Sequence, residues 1–151
     1  MKISEMRKKS LSIIMDLASI HNISMITVEF KKYPFGVKSI EDLPEDMMIP
    51  LAGYIRRKDI IEIYEVPMIN VVRNDNDLRK ILGHEVIHKK LWDNDIIYKV
   101  NMNCLTTLFS LSPKRIKKHM DNIISRYGHG RKFKKECMKY GYSEGEAFEY
   151  K

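Results

Sequence analysis

The chain has 151 residues, 44% of them hydrophobic and 31% charged, and carries a formal net charge of +7. That size suits one compact domain with a real core and leaves no room for a second independent one. Two cysteines exclude a disulfide scaffold, and no apolar run approaches the roughly 18 residues needed to cross a bilayer, so a cytoplasmic location and no membrane partner are expected.

Over residues 4–20, Leu11, Ile14, Leu17 and Ala18 recur at helical spacing, with Met15 and Ile20 widening the apolar stripe; this predicts an amphipathic helix packed on a sheet. Residues 23–33 alternate Ile26, Val28 and Phe30 with Thr27 and Glu29 and predict a first strand, ended by Pro34 and Gly36. The acidic stretch 37–50, with Pro44 and Pro50, reads as a connecting loop bordering a cleft. Residues 52–56 and 60–66 flank Arg57-Lys58-Asp59 as a hairpin. A short strand is expected over 68–72, with Pro67 breaking the ladder before it.

Residues 75–92 carry Leu78, Ile81, Leu82, Val86 and Leu91 at helical spacing, preceded by the N-cap candidates of Asn74-Asp75-Asn76-Asp77. Within this helix lies His84-Glu85-Val86-Ile87-His88, an HExxH motif. Residues four apart share a helix face, so both imidazoles can reach one metal ion, and Glu85 falls beside it as a candidate base for activating water. Two ligands leave a catalytic zinc site incomplete.

Asn94 or Asp95 is expected to cap a core helix bearing Ile96, Ile97, Val100, Cys104, Leu105, Leu108 and Phe109, and Ser112-Pro113 to open another that runs to about Arg126. A last basic helix spans 131–140, and the tail from Gly141 is short. Residues 113–140 hold ten basic and two acidic side chains, a cluster that can attract phosphate backbones; Arg131, Lys132, Lys134 and Lys135 are the candidate nucleic-acid contacts.

His129 sits between Gly128 and Gly130 just before that basic helix. The absence of Cβ atoms on both sides lets the backbone bring the imidazole to the His84/His88 face, which makes it the leading third ligand. Glu144, Glu146 and Glu149 in the tail are the alternatives, and any of them would make a gluzincin-like site. Tyr127 and Tyr142 are the candidate donors to a transition-state oxyanion.

The run His129-Gly130-Arg131-Lys132-Phe133-Lys134 has the form HGxxFK, and together with HExxH it resembles the SprT-like metalloprotease family, which includes the Spartan proteases. The resemblance implies that His129 is the third zinc ligand and that Phe133 packs in the core. It extends over nearly the whole chain and implies an α+β, zincin-like single domain over 1–151: an N-terminal helix, a small and mainly antiparallel three-stranded sheet, the HExxH helix, then further helices. The implied activity is zinc-dependent proteolysis of DNA-associated or DNA-crosslinked proteins. Two features depart from the family: the segment 89–128 is long, and no four-cysteine zinc ribbon follows. The rival readings are a nucleic-acid-binding module with a structural zinc and a peptidase that cuts one specific partner.

Overall fold

A computed structural model of the chain describes residues 1–145 and 147–150. Helix α1 (Ile3–Ile20) buries Met6, Ser10, Ile14 and Leu17. Its buried stripe is narrower than the spacing predicts: Leu11 and Met15 lie more than about 90° away from it at about 100° per residue, and both are exposed, as is Ile20. After β1 (Thr27–Lys31), the chain passes through β2 (Met48–Pro50) and enters the hairpin of β3 (Ala52–Ile55) and β4 (Ile60–Tyr64).

The three-stranded sheet has the order β1–β4–β3, with β1 parallel and β3 antiparallel to β4. It is therefore mixed, where a mainly antiparallel sheet was expected. The long connection after β1 carries the chain past the slot that β4 fills. β3 returns on the far side, and the second hairpin strand is inserted parallel to β1, which only a connection of this length permits. All five residues of β4 are buried, as befits its central place.

Three further expectations are corrected. Residues 65–71 form a helix, α2 (Glu65–Val71), in place of a strand over 68–72; Pro67 falls in its first turn, where no amide donor is required. The expected loop over 37–50 ends in β2, which pairs antiparallel with β5 (Phe148–Tyr150), a strand that distant residues supply and no local pattern announces. Ser112 ends one helix instead of opening the next, donating its hydroxyl to the Leu108 carbonyl at 2.6 Å.

Helix α3 (Asp75–Asn94) is the central element. The Asn74 side chain caps it, accepting from the Asp77 amide at 2.9 Å, while Asp77 accepts from the Arg73 amide. Leu78, Leu82, Val86 and Ile87 are completely buried. There follow α4 (Ile96–Leu111), capped by Asp95 on the Tyr98 amide, a single 3-10 turn at Lys114–Ile116, α5 (Lys117–Gly128) and α6 (Arg131–Tyr140). Of α4, expected as core, only Tyr98 and Met102 are buried. Among the described residues no helix is long and apolar enough to cross a membrane, and Cys104 and Cys137 are free thiols.

Candidate metal centre

His84 and His88 project from one face of α3, and His129 reaches them from the turn between α5 and α6. The three Nε2 atoms lie 3.2 Å (His84–His88), 3.1 Å (His88–His129) and 3.2 Å (His84–His129) apart. This group could hold a metal ion, and it is the one such cluster of three among the described residues.

The other ring nitrogens explain why Nε2 points inward. His84 Nδ1 lies 2.8 Å from the Ser143 carbonyl and His129 Nδ1 lies 2.9 Å from the Ser125 carbonyl. A carbonyl only accepts, so each Nδ1 must donate, and each Nε2 is left with its lone pair. Lone pairs 3.2 Å apart repel unless a cation lies between them. For His88, burial first, then its two histidine neighbours, hold the imidazole well below the usual histidine range, which keeps it neutral and ready to ligate.

Local sequence builds this geometry in several steps. His129 is the C-cap of α5, its backbone amide also donating to the Ser125 carbonyl. The flanking glycines act differently from the expected hinge, since neither takes a positive φ. A Cβ on Gly130 would lie 3.2 Å from the Tyr127 carbonyl, so that glycine permits a tight turn, while Gly128 is buried against Tyr98 and Met102.

At the other end of α6, Gly141 (φ 73°) adopts the left-handed conformation, and the Tyr142 amide donates to the Cys137 carbonyl, a Schellman closure. The turned chain then crosses α3, where the Ser143 carbonyl meets His84. Gly83 makes this crossing possible, because a Cβ there would lie 2.4 Å from the Tyr142 ring.

Phe133 forms the floor of the centre. It is 1% exposed, stacks on His88 with centroids 4.2 Å apart, and meets His84 and His129 edge-on at 4.7 and 5.2 Å. Its burial agrees with the expectation drawn from the HGxxFK motif.

Glu85 is 4% exposed. Its Oε2 accepts from the Tyr54 amide at 2.8 Å and its Oε1 lies 4.0 Å from His84 Nε2. That amide belongs to the edge strand β3 and points away from β4. A buried cation holds the strand in place: Lys89, 6% exposed, donates to both oxygens of Asp59 in the hairpin turn at 2.8 and 2.9 Å and to Asp93 at 3.0 Å. Asp59 itself has a positive φ of 55° in that turn. Burial pushes its carboxyl up, but the hydrogen bonds from Lys89 and Tyr54 outweigh burial and hold it below its ordinary value.

A cleft of about 240 Å³ opens at the centre, bordered by Tyr54, Arg56, Glu85, His88, Tyr98 and His129. Tyr54, Arg56 and Tyr98 carry no motif, and sequence reasoning missed them; the position of Tyr54 and Arg56 beside the expected hairpin turn was the one signal available, and none marked Tyr98.

The other expected residues are placed as follows. Tyr142 is buried and bonded to His21 at 2.8 Å, and the Tyr127 hydroxyl accepts from Asn101, so neither borders the cleft. Glu144 is exposed, Glu149 lies in β5 opposite Ile49, and neither joins the histidines; Glu146 lies outside the described residues. Arg131, Lys132, Lys134 and Lys135 are all exposed on α6. Lys132 pairs with Asp95, whereas Arg131, Lys134 and Lys135, with Arg126, line a wide groove that begins at His129. Comparison with family models, curated proteins and solved structures finds no match to this chain.

Proposed function

We propose that the chain is a zinc metallopeptidase with a zincin-like active site, akin to the SprT-like proteases that its motifs resemble, acting on DNA-associated proteins. The observation that carries this reading is the convergence of three imidazole Nε2 atoms beside a buried Glu85 side chain. Zinc–nitrogen bonds of about 2.0–2.1 Å in a tetrahedral site separate ligand nitrogens by roughly 3.3–3.4 Å. The separations of 3.1–3.2 Å fit with a small outward relaxation. Three imidazoles at a centre that opens on a cleft match a catalytic ligand set better than a closed structural one.

When bound, zinc supplies Lewis acidity that lowers the pKa of water and polarises a peptide carbonyl. The carbonyls of Ser143 and Ser125 fix two of the ligand rings, as outer partners commonly do. Glu85, anchored through Oε2 by Tyr54, takes the proton of the attacking water at Oε1 and returns it to the leaving amine. The outer edge of β3 borders the cleft, so an extended substrate can lie along it and bind through its backbone. Tyr98 borders the cleft, and its hydroxyl, which donates to the Gly128 carbonyl at 3.4 Å, would have to turn from that carbonyl to serve the oxyanion. The groove lined by Arg126, Arg131, Lys134 and Lys135 supports the DNA-associated substrate class.

The test pairs metal content with activity. Wild-type protein should hold about one zinc per chain and His129→Ala should lose it. Glu85→Gln should keep the metal and fold but abolish cleavage of DNA-bound protein substrates. A zinc-loaded wild type that cleaves none of these while binding DNA would favour the rival reading, a nucleic-acid module with a structural zinc. Neutralising Arg131, Lys134 and Lys135 should flatten the salt dependence of DNA binding; an unchanged slope would remove DNA from that groove.

A further inference from the structure

Helix α4 has two apolar sides. Tyr98, Met102, Leu105 and Phe109 fall on one, and they face the molecule: the first two are buried and the others half-buried. At about 100° per residue, Ile97, Val100, Cys104, Leu108 and Leu111 fall within roughly 80° of arc on another side. These face solvent, with exposures of 74% for Ile97, 52% for Val100, 55% for Leu108 and 77% for Leu111, and Cys104 is exposed as well.

The spacing of the exposed stripe is symmetric. Ile97 and Leu111 each lie seven residues from Cys104, and Val100 and Leu108 each lie four. An identical helix laid antiparallel with its midpoint at Cys104 meets the same order read backwards. Ile97 then faces Leu111, Val100 faces Leu108, and Cys104 faces its own equivalent. A twofold contact demands this self-complementarity, and the stripe meets it at every position.

Charge points the same way. Two chains of net charge +7 repel each other, yet α4 contains a single charged residue, Lys99, so this is a face on which they can approach. The exposed aliphatic side chains offer on the order of 500 Å² per copy, so a pair would bury roughly 1,000 Å², the lower limit of a specific interface.

We propose that a second copy of this chain covers α4, the two helices running antiparallel about a twofold axis at Cys104. The dimer is reversible, as its area requires, and it is independent of the peptidase reading. Cys104 reports on it cleanly, because Cys137 is buried and burial pushes its thiol up to about 12.

Sedimentation of the full chain from about 1 to 200 µM should show a concentration-dependent dimer, since an interface of this area is at the weak end of specific association. Mild oxidation should link it covalently, and Cys104→Ser should abolish the link. Ile97→Glu and Leu108→Glu alter exposed side chains, so they should leave the fold intact and weaken association at least tenfold. Met15→Glu, on the exposed side of α1, should leave it unchanged. In a Cys104→Ser background, chains carrying Ile97→Cys should cross-link when mixed with chains carrying Leu111→Cys, and neither should link alone. A monomer at every concentration, a dimer indifferent to Leu108→Glu, or Ile97→Cys chains linking to one another would each overturn the proposal. So would a monomer that binds phosphatidylcholine vesicles through the same stripe, which would assign the face to a lipid surface.

Discussion

Helices α3 and α4 follow one another in the chain and both are rich in apolar residues at helical spacing, yet one is enclosed and the other half-open. Every apolar position that defines α3 in the sequence, Leu78, Ile81, Leu82, Val86 and Leu91, is buried. In α4 the stripe of Tyr98 and Met102 is buried while Ile97, Val100, Leu108 and Leu111 remain in solvent. Periodicity identifies a face that wants covering; it does not say whether the cover belongs to the same chain.

The contrast can be measured in stability. Phe133→Ala removes a fully buried ring from beneath the α3 histidines and should cost about 3–5 kcal/mol, whereas Leu111→Ala on α4 should change monomer stability by no more than about 0.5 kcal/mol. Equal losses in denaturant titrations would erase the distinction between the two helices. Zinc offers a comparable lever from the ligand side. At a free concentration of a thousand times its Kd it should stabilise the fold by about 4 kcal/mol, with the rise in Tm lost on chelation and absent in His88→Ala. A rise that survives in the variant would move the metal away from α3.

Gly83→Ala forces a Cβ into the Tyr142 ring and should cost about 1–3 kcal/mol while weakening metal retention, because Tyr142 leads into the segment that orients His84. By contrast Ser110→Ala, at an exposed position of α4, removes only a hydroxyl that donates to the Thr107 carbonyl and should change stability by no more than about 0.5 kcal/mol.

A smaller, pH-dependent effect than that of Gly83→Ala is expected at Glu62, which is 7% exposed on β4. Burial pushes its carboxyl up, but Lys31 and Tyr64 more than compensate and hold it below its ordinary value. A carboxyl depressed in this way stabilises the fold fully above its unfolded pKa and loses that contribution as pH falls through the lower folded one. Metal-free Glu62→Gln should therefore melt below wild type near pH 7, with the gap narrowing as pH falls below the unfolded carboxylate pKa; a gap that did not narrow in acid would rule out this carboxylate as the source.

The residues that could be read from sequence are those whose partners lie nearby along the chain. Asn74 caps α3 three residues from Asp77, and α6 spans the expected residues because Gly130 and Gly141 bracket it. His129 was found through the turn that carries it. What escaped depends on distance or on backbone atoms. The Tyr54 amide that anchors Glu85 and the Ser143 carbonyl that orients His84 are groups every residue possesses, so no side-chain pattern marks them. The β2–β5 pairing joins segments about a hundred residues apart, and Pro67 reads as a breaker until its place in a helical first turn is known.

The reach from His88 to His129 spans 41 residues, and that from His84 to the Ser143 carbonyl spans 59. At about 5–20 residues per second, a chain in translation carries only the paired histidines of α3 for roughly 2–8 s before His129 is made, and Ser143 follows later still. The order of synthesis is thus also a timer: whatever this centre does, it cannot begin until the chain has been made through Ser143.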